Sequence, residues 1–370
     1  AMRPTWADIN LEAIAHNTRL LVELIHPAEL CAVVKADAYG HGMIPVARTA
    51  VDAGATTLAV ALVDEGRLLR EDGIQVPILL LSEPRPYEFS EVVEHRLIPT
   101  VYQGEGLAAA AAAAAAADQR LPVHLKVDTG MARVGAPPAE VMMLADAIAD
   151  RDTLELAGVW THCAVADEPD NPFTAYQIEQ YNHLLSRLRL SGHHDFCRHL
   201  ANSAVAMAHP AGRFDMVRCG IAIYGIPPSP ALADCLPLQP AMTLRTEVSM
   251  VKTVAAGTPV SYGHHYFAPS DTQLATIPIG YADGWTRRLG VSGGEVLISG
   301  RRCPIAGVVT MDQTMVDCGL DHSVSPGDEV VLLGRQGSEE ITATEIAERI
   351  DTVAYEIVCH LGRRVPLRFT

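Results

Sequence analysis

The sequence predicts an α/β chain in which a (β/α)8 barrel is followed by a mostly β C-terminal domain. Three observations carry this expectation. Between residue 30 and about residue 225, short aliphatic runs alternate with longer amphipathic stretches, the pattern of a parallel sheet with crossover helices. Those runs number eight, the count and span of a closed barrel. After Pro227-Pro228-Ser229-Pro230 the texture changes to strand-like runs separated by Gly, Pro and Asp turns.

The predicted barrel strands are 30–36, 57–62, 77–82, 98–102, 123–128, 155–162, 196–202 and 216–225. Predicted strands of the second domain are 243–254, 272–280, 294–300, 303–311 and 328–334. The segment 342–350 reads as a helix capped by Thr344, because Ile346 and Ile350 share a face. The alanine tract Ala108–Ala117 reads as a surface helix, alanine having the highest helix propensity. The domains divide as 1–235, the barrel, and 236–370, the β domain.

Composition narrows the function. Lys plus Arg total 28 against 44 for Asp plus Glu, a net charge of -16, so no nucleic-acid backbone is expected as a partner. No apolar tract approaches the roughly 20 residues that span a bilayer, so no membrane is expected either. Asp8 and Glu12 arrive before any apolar leader can form, and eight scattered cysteines without a C-x-x-C suit a reducing compartment. A cytoplasmic location is the expectation. His193-His194 and His264-His265 lack metal-ligand spacing, so no metal is expected.

Chemistry concentrates at predicted strand ends. The first run closes on VVKADAYGHG and sets Lys35 at the C-terminal mouth, where active sites of this fold lie. A desolvated lysine amine loses basicity and gains nucleophilicity, although a snorkelling surface lysine is the bland alternative. Other strand ends supply Lys126, Asp128 and Arg133 in HLKVDTGMARVG, His162 in VWTHCAVAD, Asn202 and Ser203 in LANSAVA, and Arg218 in RFDMVRCGIAIYG. Singly, each fits a structural ion pair or helix cap equally well; together they favour a site.

These segments, with VSYGHHY, IPIGYADGW, TMDQ and DTVAYEIVC in the same order, resemble the pyridoxal-phosphate-dependent alanine racemases over essentially the whole chain. The resemblance implies interconversion of L- and D-alanine on a pyridoxal 5'-phosphate cofactor, supplying D-alanine for peptidoglycan. It also implies a head-to-tail homodimer whose composite active sites join one subunit's barrel to the partner's β domain. Lys35 would bind the cofactor covalently and serve as one base. Tyr262 would serve as the other, on the opposite face of the substrate carbon, since racemisation moves a proton from face to face.

By the same resemblance, Tyr39, Ser203, Tyr355 and the amides of Gly220 and Ile221 would hold the phosphate, with Asn202 beside them. Arg218 would face the ring nitrogen and bond to His162; a guanidinium cannot accept the ring proton. Arg133 would reach the cofactor hydroxyl and the substrate carboxylate, and Met311 would bound the substrate. Lys126 matches a position that is commonly carbamylated, the alternative being an unmodified lysine paired with Asp128. Asp167, Tyr281, Arg287 and Asp312 would line the entrance corridor.

The chain departs from the family in that corridor. Val308 stands where many members carry arginine, and Thr310 where many carry cysteine. Corridor width and tolerance for larger side chains are therefore open at this stage. The alternatives are a broader amino-acid racemase, accepting serine for example, and a non-catalytic cofactor-binding barrel. The second lacks a C-terminal β domain like this one.

Overall fold

The computed structural model describes residues 3–321 and 323–370. Two compact units emerge. One comprises Ile14–Ala38 and Met43–Gln239; the other comprises the residues up to Ala13, Tyr39–Gly42 and Pro240–Thr370.

The chain begins with β1 (Thr5–Ile9), which belongs to the second unit. The first unit is built on β2 (Glu29–Val33), β3 (Thr57–Val60), β4 (Ile78–Leu80), β5 (Thr100–Val101), β6 (Leu121–Lys126), β7 (Leu154–Trp160), β8 (Cys197–His199) and β9 (Met216–Cys219). They form two parallel sheets, β4-β3-β2-β9 and β5-β6-β7-β8. Two seams close the ring. At the first, Leu80 N–H donates to Ile98 O at 2.9 Å and Ile98 N–H to Ile78 O at 2.8 Å; at the second, Arg218 N–H donates to Ala201 O and Asp215 N–H to Arg198 O, both at 3.0 Å. All eight predicted strands are present; β6 keeps the length of its run but starts two residues earlier, and the other seven are shorter than their runs because the strand ends peel away into the mouth loops.

Helical segments follow the barrel strands up to β8, while β9 leads into the short turn Ile221–Tyr224. The helix Gly104–Ala116 shows how a weak pattern is used. Gly106, Leu107, Ala110 and Ala114 form its buried face, so the alanine tract packs one side and exposes the other. Strand registers then set the barrel interior. Lys126 lies beside Trp160 and Trp160 beside His199, so these three side chains form one row.

The second unit holds a seven-stranded sheet. Its order is β16 (Arg301–Pro304), β15 (Glu295–Ile298), β18 (Glu329–Gln336), β10 (Met242–Glu247), β1 and β20 (Leu367–Phe369), with β19 (Glu339–Ile341) pairing β18. A second sheet joins β11 (Met250–Val254), β14 (Thr272–Ile277) and β17 (Thr314–Asp317), and β12 (Pro259–Val260) pairs β13 (Tyr266–Phe267).

Three expectations need correction. The run 243–254 is two strands in different sheets, β10 and β11. The run 303–311 supplies only the end of β16, and its remainder is loop. Thr342, not Thr344, caps the helix Ala343–Ile350, its hydroxyl accepting from Glu345 N–H at 3.0 Å. The units also do not divide at one point in sequence. Strand β1 pairs antiparallel with β10 and parallel with β20, which ties the first residues to the last.

Candidate active site

Strand β2 ends at Val33, and Lys35 opens a short turn, Lys35–Gly40. Ala36, Asp37, Ala38 and Tyr39 follow with φ of 53°, 52°, 53° and 54°, a left-handed run of four non-glycine residues. Each such residue costs about 1–2 kcal/mol, so the turn needs external support. Part of it comes from Asp37, whose Oδ1 accepts from Met43 N–H at 2.7 Å. Gly40, also left-handed at φ 79°, closes the turn where a Cβ would meet Val358 O at 2.3 Å.

Lys126, Arg133, His162 and Arg218 converge electrostatically with Lys35. Burial pushes the Lys126 amine down to about 7, assisted by the nearby cations Arg218, Arg133 and Lys35 and opposed by Asp128. The same four cationic groups, added to burial, hold His162 well below the ordinary histidine value. The mouth is therefore strongly positive although the whole chain carries -16.

Arg218 is the fixed point of this cluster. It is 3% exposed, and its guanidinium donates to His199 Nδ1 at 2.7 Å, Thr161 O at 3.0 Å, Leu200 O at 3.1 Å and His162 Nδ1 at 3.2 Å. All four acceptors are neutral. Burial lowers its pKa to about 10, which leaves it cationic at neutral pH. Because arginine only donates, Nδ1 of His199 must accept, so its proton sits on Nε2 and is donated to His124 Nδ1 at 2.8 Å. Trp160 backs the row: Arg218 lies 4.4 Å and Lys126 Nζ 4.2 Å from its ring centroid, and His199 stacks on it at 5.5 Å.

Gly158 makes room for this relay. A Cβ there would lie 2.5 Å from His124 Nδ1, the atom that accepts from His199. Gly158→Ala is expected to cost about 1–3 kcal/mol of stability through overpacking, read as a lower denaturant midpoint. An unchanged midpoint would show that the imidazole pair has slack.

Ser203 is buried at the start of the helix Ser203–Ala208. The cap of that helix is Asn202, whose side-chain oxygen accepts from Val205 N–H at 3.0 Å, so Ser203 Oγ is left to accept from Gly220 N–H at 3.1 Å. Ile221 begins the turn Ile221–Tyr224. Asp128 does not behave as a simple partner of Lys126: its Oδ1 accepts from the amides of Gly130, Met131 and Ala132, shaping the loop that carries the exposed Arg133.

In the second unit, the rings of Tyr39 and Tyr355 lie 6.1 Å apart. Tyr262 is 72% exposed on a turn in which Ser261, Gly263 and His264 have φ of 66°, 74° and 49°. Ser261 Oγ donates to Val308 O at 2.7 Å and braces that turn. Val308 itself is 1% exposed, a core residue of this unit. Tyr281 and Met311 are exposed, and the intermediate Thr310 accepts Tyr281 N–H on its carbonyl at 3.0 Å. Asp312 is held by Arg364 at 2.7 Å, which also pairs with the fully buried Asp283. Arg287 starts the turn Arg287–Gly290; Asp167 lies in the first unit, its carbonyl accepting from Ser229 Oγ at 2.6 Å.

Sequence reasoning missed His124, His199, Trp160 and Gln177. Period-two spacing from Lys126 to His124, and from Trp160 to Gly158, is the signal that places these side chains on one barrel face. Gln177, fully buried, had no such signal; it donates to Thr129 Oγ1 and His162 O and accepts from Ala164 N–H, joining two mouth loops.

The class that fold and site define is an eight-stranded parallel barrel with a lysine set among cations at its mouth and a separate β unit. Residues 9–228 match the family described as alanine racemase, N-terminal domain, and residues 241–369 match alanine racemase, C-terminal domain. The chain belongs to the alanine racemase family, and it interconverts the enantiomers of alanine with pyridoxal phosphate as cofactor. The alanine racemase of Symbiobacterium thermophilum is 49% identical over 99% of this chain and 97% of its own length. The alanine racemase structure from Streptomyces lavendulae superposes with a TM-score of 0.94 at 40% identity, covering 100% of this chain and 98% of that one. A histidine racemase from Leuconostoc mesenteroides also matches, at TM-score 0.90 and 31% identity, covering 100% and 98%. Among the described residues, no helix is long and apolar enough to cross a membrane.

Proposed function

We propose that Lys35 and Tyr262 are the two bases of alanine racemisation and that the working enzyme is a homodimer in which Tyr262 is supplied by the partner subunit. The observation that supports this reading best is the barrel mouth: Lys35 stands among cations whose centre, Arg218, is held wholly by neutral acceptors. Pyridoxal phosphate, when bound, supplies the electron sink that acidifies the substrate α-proton. Lys35 would anchor it, and Ser203, Tyr39, Tyr355 and the amides of Gly220 and Ile221 would hold its phosphate, with Asn202 fixing the helix start beneath. Arg218 would meet the ring nitrogen with donors only, which keeps that nitrogen unprotonated and limits side reactions that need a stronger sink. His162 orients Arg218, and Arg133 would take the substrate carboxylate.

A phenol is a poor base near neutrality unless positive charge stabilises its anion, and the cationic mouth is the environment that would do so. The Lys126 amine, near 7, is neutral often enough to attack carbon dioxide; the resulting carbamate would offset the charges of Arg218 and Arg133. An intact-mass measurement that finds only the free amine removes this step. Entry past Asp167, Tyr281, Arg287 and Asp312, cytoplasmic location and supply of D-alanine for peptidoglycan complete the proposal.

Alanine is expected to be the best substrate, with serine at least about tenfold poorer in kcat/KM, equal to about 1.4 kcal/mol. Met311 and Tyr355 would limit the space beyond a methyl group, and the burial of Val308 weakens the case for a widened corridor. Serine and histidine assayed beside alanine test this. Comparable efficiency with either would make the enzyme a broader racemase.

A further inference from the structure

Resting on the assignment of Lys35 as the cofactor lysine, we propose that Glu65 is its positioning residue. Glu65 lies in the first turn of the helix Val63–Glu71, and its two carboxylate oxygens have separate tasks. Oε2 accepts from Ala61 N–H at 2.8 Å and Leu62 N–H at 3.1 Å, which satisfies donors at the start of its own helix. Oε1 accepts from Ala36 N–H at 2.7 Å, across from a neighbouring strand end.

The second contact is not needed for capping. It falls on the peptide that joins Lys35 to the first left-handed residue, Ala36 at φ 53°. An alanine relaxes readily out of that region, and relaxation would rotate this peptide and redirect the Lys35 side chain where it leaves the strand. Bidentate use of one carboxylate therefore couples the beginning of the next helix of the barrel to the orientation of the reactive amine. A glutamine cannot do both, because its NH2 would oppose a backbone donor.

The test uses the full chain stripped of cofactor and exposed to pyridoxal phosphate with cyanoborohydride, with the adduct on the Lys35 peptide followed by mass over time. Glu65→Gln is expected to trap at least about tenfold more slowly, the effect of losing a charge-assisted hydrogen bond. Glu65→Asp keeps a carboxylate at the helix start but is a methylene too short to span both sites, so it is expected to be slow as well. Adding Ala36→Gly to Glu65→Gln is expected to recover most of the rate, since glycine occupies left-handed backbone without a Cβ penalty. In the reloaded enzyme the deficit is expected in kcat more than in KM.

Wild-type trapping rates in folded Glu65→Gln and Glu65→Asp would overturn the proposal and leave Glu65 as a helix cap. Slow trapping that Ala36→Gly does not relieve would overturn it too, because the defect would then come from the helix. If the wild-type chain itself shows no adduct on Lys35, the assignment of Lys35 fails instead.

Discussion

Lys35→Ala is expected to abolish alanine racemisation and the visible band of the bound cofactor together. The methyl group has no nitrogen to join to the cofactor carbonyl and no base to exchange the substrate proton, so one substitution removes two roles. Loss of either catalytic role alone typically costs orders of magnitude, and the combined loss leaves turnover at background. The barrel is expected to survive, because Lys35 lies beyond the end of β2 and the core residues of that strand are untouched. Borohydride treatment of wild type followed by peptide mapping is the companion measurement. A reducible adduct on another lysine, with activity retained in Lys35→Ala, would move the anchor elsewhere.

Mixing two crippled chains is expected to restore activity. Lys35→Ala lacks the barrel base and Tyr262→Phe lacks the hydroxyl offered by the β unit, so neither homodimer contains an intact pair. Equal amounts that exchange at random form about half mixed dimers, and each mixed dimer carries one doubly defective and one wild-type site. About a quarter of wild-type activity should therefore return by that two-fold counting. Exchange must be verified by the mass of the mixed species. If exchange is complete and activity remains at the parental level, both bases act from one chain and the composite site is wrong.

Much of the architecture was legible because it is local. Eight aliphatic runs spaced by amphipathic segments announce parallel strands, and each run does overlap one strand of the barrel. The positions of Lys35, Lys126 and His162 toward strand ends, and of Arg218 within β9, could be read the same way, since a charged or polar residue in an apolar run stands out. Their convergence follows from closure of the ring, each of whose seams, at Ile98 and at Arg198 and Ala201, rests on two backbone hydrogen bonds without a motif.

What the sequence determined alone was the order of strands and helices, the strand-end placement of the reactive groups, and the resemblance carried by VVKADAYGHG and its companion segments. Tertiary structure decided the rest. The neutral shell of Arg218 draws on β8 and the loops beyond β7 and β8, the Gly158 gap accommodates an imidazole from β6, and β1 is claimed by a sheet made mostly of residues beyond 240. The physical reason is common to all three. Each depends on which backbone lies beside which after folding, a property of register and packing between distant segments, and hydrophobic period reports only which face of its own segment a residue occupies.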